Sequence, residues 1–333
     1  MKKFLALFLT IIMLLSMSLV AFGETHKNDY DIEQKYAELF VKKLGRTVEV
    51  HSPILLYNVK GNEEAICFSL GEKGYLIINK NDLSIPELSF EGKKPFIHLE
   101  KRYVYNGPLA YYELKGGKFF SLKAKKIING NFKKIYDKNK IDKHSKLSEF
   151  ENEIYTLNYS TRGVANEEYL SKSLKTWYKS GGYCGPIAAA ITMMFYDEVV
   201  SEKYVDTDNE NENDLIDIMA YYIDPDHSTN PGSSPNELRD GITSYLGGQN
   251  VNNYATKSTY NFNTIKSKIN SNRPQIIGTA NDPTYYDHWM TVHGYYDDGM
   301  DEYVIVNNGW GDNNVWLSSD RGTFDYLIYL WNN

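Results

Sequence analysis

The chain is poor in cysteine: its 333 residues contain only Cys67 and Cys184. Two thiols allow at most one bridge, which excludes a disulfide-stapled scaffold and leaves each cysteine to be explained by its own surroundings. Zinc-ligand spacings, a Walker loop and a dinucleotide fingerprint are also missing, so neither a metal nor a cofactor is expected. The acidic run Asp206-Thr207-Asp208-Asn209-Glu210-Asn211-Glu212 has Asn211 where a calcium loop needs its sixth-position glycine, and reads as a solvated loop. Past the N-terminus there is no second long apolar run, so no stable membrane anchor is expected.

The first run is different. Lys2 and Lys3 precede an almost wholly apolar stretch from Phe4 to Val20, and Ala21-Phe22-Gly23 supplies small residues for cleavage. Residues 1–23 therefore read as a secretory signal peptide, and the protein is expected to be secreted. The remainder is long enough for two domains.

The net charge of -7 conceals an asymmetry. Residues 24–162 carry 19 acidic and 24 basic side chains, whereas residues 163–333 carry 24 acidic and 10 basic ones. Halves of opposite sign attract at low salt. The acidic balance of the second half speaks against nucleic acid as a partner.

In the first half, Asn28 to Leu44 has helical periodicity, with Ile32, Tyr36, Leu39 and Phe40 on one face and Gly45 as the stop. Short apolar centres then follow at Ile54–Tyr57, Ala65–Phe68, Tyr75–Ile78 and Phe119–Phe120, separated by turn residues. An α+β domain with an antiparallel sheet is expected over residues 24–140, with Cys67 as a small core residue. Lysine and asparagine dominate from Lys123 to Lys146, so residues 141–164 are expected to be a linker holding a processing site, with a short helix near Glu149 to Ile154.

The second half, residues 165–333, reverses the order of elements. Helical patterns come first, at Ile187–Val199, Asn213–Tyr222, Ser234–Leu246 and Thr264–Asn270. Strands follow at Gln275–Gly278, His288–Tyr296, Tyr303–Asn307 and Phe324–Trp331. Ser234-Pro235-Asn236-Glu237 is a capping box with proline at the first helical position.

Cys184 stands at the start of a helix behind Gly181 and Gly182. A helix N-terminus carries about half a positive charge and favours a thiolate, and the glycines let a substrate backbone come close. The strand beginning His288 also holds His293; side chains alternate along a strand, so the two are expected on opposite faces. The turn Asp297-Asp298-Gly299 folds the next strand back and brings Asn307 or Asn308 beside His288, where an amide oxygen would fix the imidazole.

Tyr183-Cys184-Gly185-Pro186 ahead of an alanine-rich helix, His288 opening a strand that reaches Gly294-Tyr295, and Asn307-Asn308-Gly309-Trp310-Gly311 together resemble the papain-like cysteine peptidases, most closely the bacterial branches around streptopain and the double-glycine leader peptidases. The resemblance covers residues 165–333. It implies helices packed ahead of an antiparallel sheet, and hydrolysis of protein or peptide substrates. It makes Cys184 the nucleophile, His288 the base and Asn308 or Asn307 the orienting group, with Trp310 shielding that bond. The Cys184 backbone N–H would be half of the oxyanion hole. The family's glutamine six residues before the cysteine is replaced here by Tyr178, and Gln34, Gln249 and Gln275 all lie elsewhere in the sequence. Tyr178 is therefore the candidate second donor. The resemblance further implies a zymogen in which residues 24–140 act as an intramolecular inhibitor. Two other readings remain: a cell-wall amidase or endopeptidase using the same pair, and a catalytically inactive binding module, which the missing glutamine favours.

Overall fold

The computed structural model describes residues 30–123, 125–128, 141–157, 165–225, 233–279, 288–320 and 324–332. The expected signal peptide and the 158–164 part of the expected processing segment lie outside them.

The first half begins with α1 (Asp31–Lys43), whose Tyr36, Ala37, Phe40 and Val41 are buried while Asp31, Lys35, Glu38 and Lys42 face out. Strands β1 (Val50–Tyr57), β2 (Glu63–Leu70) and β3 (Gly74–Asn79) form an antiparallel meander over the expected apolar centres. Then come β4 (Glu87–Ser89), β5 (Tyr103–Tyr105), β6 (Tyr111–Lys115), β7 (Lys118–Ser121) and β8 (Ile127–Ile128). One pairing departs from the expected antiparallel sheet: β5 runs parallel to β1, matching Leu56 to Tyr103.

The segment expected as a connector is largely helical. Helix α2 (Lys143–Leu157) buries Leu147, Phe150 and Ile154 against α1. Phe150 stacks on Tyr36 at 4.5 Å, and Lys143 Nζ lies 2.6 Å from Glu33. The apolar positions recur every three or four residues, which suits a helix docked on one side only.

The second half contains β9 (Asn166–Tyr169), α3 (Cys184–Val199), α4 (Glu212–Ile223), α5 (Pro235–Gly248), β10 (Asn253–Thr259), α6 (Phe262–Asn270), β11 (Gln275–Thr279), β12 (His288–Asp297), β13 (Glu302–Asn307), β14 (Val315–Ser318) and β15 (Phe324–Asn332). Helix α5 carries the full capping box: Ser234 Oγ accepts from Glu237 N, and Ser234 N donates to the Glu237 carboxylate at 2.7 Å. Asn211, in the acidic run, caps α4 by accepting from Asp214 N at 3.1 Å. Helix α3 is apolar on nearly every side, and residues 185–197 are all buried; such a helix must lie inside the fold. It does so between α4 and β12.

Both halves contribute to one continuous sheet in the order β10-β15-β11-β12-β13-β14-β4-β3-β2-β1-β5-β6-β7-β8, with β9 extending along β12. The seam is the antiparallel pair β4 and β14, which matches Ser89 with Val315, Leu88 with Trp316 and Glu87 with Leu317. Apolar clusters cross the seam on both faces. One joins Ile54, Cys67 and Ile77 to Val315 and Leu317; the other joins Phe40, Leu76 and Leu88 to Tyr303, Ile305 and Trp316. Among the described residues, four ion pairs run from three bases of the first half to acids of the second, as the charge asymmetry anticipates: Lys43 to Asp298 and to Asp301, Arg46 to Glu167, and Lys123 to Asp312. Lys43 is only 3% exposed and Asp298 9%, so that pair is nearly dry, whereas Asp301 is 38% exposed. Among the described residues, no helix is long and apolar enough to cross a membrane.

Candidate active site

Both cysteines are free thiols. Cys67 is fully buried in the first-half core, where loss of water pushes its thiol up to about 12. Cys184 is half-buried at the first position of α3.

The approach to Cys184 depends on glycine for a reason beyond small size. Gly181 and Gly182 have φ of +100° and +87°, a backbone conformation that L side chains rarely adopt. They turn the chain into the helix, and Tyr183, at the cap position, provides no side-chain cap. The first N–H groups of α3 are thus not answered by a capping side chain, and their partial positive charge faces the region of the thiol.

His288 is the first residue of β12 and is 3% exposed. Its Nε2 lies 2.9 Å from the main-chain oxygen of Asn308. A carbonyl can only accept, so Nε2 carries the hydrogen and Nδ1 carries the lone pair of the neutral ring. Burial depresses the imidazole to about 3, only partly opposed by that hydrogen bond, and the nearby Lys123 charge lowers it further. Trp310 stacks on the ring at 3.9 Å and 12°, a lid of apolar surface over the hydrogen bond.

Helix tip and strand start are packed side by side. Gly185, the residue after Cys184, fits between Ser233 and Trp289, the residue after His288. A Cβ on Gly185 would fall 2.0 Å from Ser233 Oγ and 3.3 Å from Trp289 Cδ1, so a larger residue would have to push both neighbours away. One turn further on, Thr291 Oγ1 donates to Ala188 O at 3.3 Å. The indole Nε1 of Trp289 donates to Ser233 O at 2.9 Å, anchoring the strand start to the entry of α5.

The two asparagines act differently from a simple side-chain acceptor. Asn307 Nδ2 donates to Lys175 O at 2.8 Å and its oxygen accepts from Gly309 N. Asn308 Oδ1 accepts from Trp310 N at 2.9 Å and Asp312 N at 3.2 Å, and its Nδ2 donates to Asp312 Oδ2. Both amides close the 308–312 loop, and the atom facing the imidazole is the Asn308 carbonyl. His293 lies elsewhere on the strand. Its ring is 5.8 Å from that of Tyr169, it bonds the Val306 backbone, and burial depresses it to about 4. A strand bulge between Val292 and Gly294 interrupts the simple alternation there.

Tyr178 is exposed and borders Gly311; its backbone N–H is taken by Glu212 at 2.6 Å, which leaves the phenol as its only group able to donate to a substrate. Four side chains from the first half, Lys123, Glu87, Tyr75 and Tyr111, gather on this side of the molecule. Lys123 Nζ lies 3.5 Å from Asp312 Oδ2 and 5.0 Å from the Trp310 ring centre. Buried Glu87 accepts from the Tyr75 hydroxyl, the Tyr111 hydroxyl and Leu109 N, and burial pushes it up to about 7. Among the described residues, no cluster of acidic, histidine and cysteine side chains could hold a metal ion.

A family model described as the Peptidase_C39 like family matches residues 164–332, the stretch that holds Cys184, His288 and the 307–312 loop. A search of curated proteins finds no match.

Proposed function

Because the chain belongs to the Peptidase_C39 like family, a family of papain-like cysteine peptidases, we propose that it is a thiol endopeptidase in which Cys184 and His288 form the reacting pair. The observation that carries this reading is the 2.9 Å contact between His288 Nε2 and the Asn308 carbonyl. With Nε2–H held by the Asn308 carbonyl, the basic nitrogen is Nδ1, on a strand start packed against the helix tip that bears the thiol.

The reaction follows from those positions. Nδ1 takes the thiol proton as sulfur attacks the carbonyl carbon of the scissile amide, and the carbonyl oxygen becomes an oxyanion. The Cys184 N–H at the helix tip stabilises that charge, and the Tyr178 hydroxyl is the candidate second donor. Collapse breaks the C–N bond, and the leaving amine takes the proton from His288, leaving a thioester. His288 then deprotonates a water, which attacks the thioester and releases the acid and the thiol. Trp310, stacked on the ring, keeps water from competing for the Nε2–H bond.

Export is proposed from the apolar leader of residues 1–23. For the first half, a removable inhibitor and an integral domain are the two readings. The shared sheet across β4 and β14 and the two apolar clusters spanning it favour the integral one, since a surface of that kind does not separate without exposing core.

The test is digestion of a complex peptide library by the full chain and by Cys184→Ser, with new termini read by mass spectrometry. New termini with the wild type alone are expected. Cleavage only of wall-peptide crosslinks would select the amidase reading. No cleavage, together with peptide binding, would select the inactive module.

A further inference from the structure

We propose that Lys123, a residue of the first half, is a positioning residue for His288, acting through Trp310 and Asp312. The proposal rests on the peptidase reading and goes beyond it by making the site a composite of both halves.

The geometry is a stack of three side chains. The imidazole of His288 lies under the indole of Trp310, 3.9 Å away and nearly parallel to it, and the ammonium of Lys123 sits 5.0 Å from the same indole. Lys123 Nζ also meets Asp312 Oδ2 at 3.5 Å, and Asp312 is the residue onto which Asn308 Nδ2 closes. Asn308 in turn supplies the carbonyl that accepts from His288 Nε2. Lys123 therefore touches both groups that hold the imidazole: its lid, and the loop that fixes its tautomer.

The side chain is also in an expensive place for a lysine. It is 18% exposed and Asp312 is 15% exposed. Burial lowers the ammonium below its usual range, with Asp312 and Glu87 opposing that shift. A cation so placed persists where anionic and aromatic partners compensate its lost water. Its partners here include the catalytic-loop carboxylate and the rings of Trp310 and Tyr111. Its charge also opposes protonation of His288. A first half that left the molecule would take this support with it.

The experiment is the pH profile of alkylation of Cys184 by iodoacetamide in the full chain, located by mass spectrometry, for wild type, Lys123→Met, Lys123→Arg, Lys118→Met and His288→Ala. Lys118 is an exposed lysine at the start of β7 and serves as control. Methionine keeps the buried stem and removes the charge; arginine keeps the charge and its attraction to a ring face. Loss of a partly desolvated cation–π contact and its ion pair is expected to slow alkylation at neutral pH by roughly 10-fold in Lys123→Met. The inflection belonging to His288 should move to higher pH. Lys123→Arg should recover most of the rate, and Lys118→Met should match wild type. Circular dichroism identifies variants that remain folded, and only those are compared; Lys123→Arg keeps the comparison open if Lys123→Met unfolds. A folded Lys123→Met with wild-type rate and inflection would overturn the proposal, as would equal losses in Lys123→Met and Lys123→Arg. If wild-type Cys184 reacts no faster than a free thiol and His288→Ala changes nothing, the peptidase reading itself falls and takes this one with it.

Discussion

Gly278 and Trp289 face each other across β11 and β12, and the substitution Gly278→Ala probes how firmly that contact sets the site. An added Cβ would lie 2.5 Å from Trp289 Cζ3 and 2.9 Å from Cε3 and Cη2. Carbon atoms pack at about 3.5–4.0 Å, so the indole must retreat by about 1 Å. It has nowhere open to go, because Trp289 is fully buried. Overpacking of this kind costs about 1–3 kcal/mol. Displacing the ring also strains the 2.9 Å hydrogen bond from Trp289 Nε1 to Ser233 O, about 1 kcal/mol more. Alanine returns about 0.5–1 kcal/mol over glycine within a strand. The net is a loss of about 2 kcal/mol, read as a fall of the thermal midpoint by about 4 °C. Because His288 is the neighbouring residue, Cys184 alkylation should slow as well. Gly247→Ala on α5 is the control, since nothing lies within 4 Å of its added Cβ. In a Trp289→Phe background, whose ring is smaller, the cost of Gly278→Ala should shrink. A Gly278→Ala protein as stable as Gly247→Ala would refute the packing argument.

Stability should rise with pH between about 4.5 and 6.5. Below 6.5 the unfolded chain protonates two histidines that the folded chain holds neutral, His288 to about 3 and His293 to about 4, so acid removes stability at roughly 1.4 kcal/mol per pH unit for each. Glu87 works the other way: folded, it keeps its proton up to about 7 rather than 4.5, so its contribution falls as pH rises through the same window. Two slopes against one leave a net gain of roughly 1.4 kcal/mol per unit, and Glu87→Gln should about double it. Urea midpoints at pH 5 and 6.5 measure this; a flat or falling profile would contradict it. At the seam, Lys43→Met should cost roughly 3 kcal/mol by stranding the buried Asp298, while Asp301 is partly exposed and adds little. Raising sodium chloride to about 0.5 M should do much less, because a dry ion pair is poorly screened. Salt sensitivity of the wild type as large as the mutational effect would show that the halves are held by surface charge instead.

Much of the fold was legible because its elements are strongly periodic. The meander of β1 to β3, the capped helix α5 and the strand opening at His288 all stand where pattern and turn residues put them. Helix α2 was underestimated because lysine and asparagine dominate its surroundings, although Leu147, Phe150 and Ile154 already carry the helical spacing. The seam between β4 and β14 could not be read, since two short strands more than two hundred residues apart leave no local sign that they pair. Within the candidate site, residue types and order single out Cys184, His288 and the 307–311 loop. The sequence pattern points to an asparagine side chain beside His288, whereas the contact is made by a main-chain carbonyl, a group every residue has. Lys123 was hidden by its neighbours: composition marked a solvated lysine-rich stretch, and one of its lysines is buried against Trp310.

The most direct measurement is labelling of the full chain with a thiol-directed epoxide, followed by mass-spectrometric location of the adduct in wild type and His288→Ala. The account predicts rapid, stoichiometric modification of Cys184, none of buried Cys67, and near-complete loss of labelling in a folded His288→Ala. Equal labelling of Cys184 with and without the imidazole would contradict it.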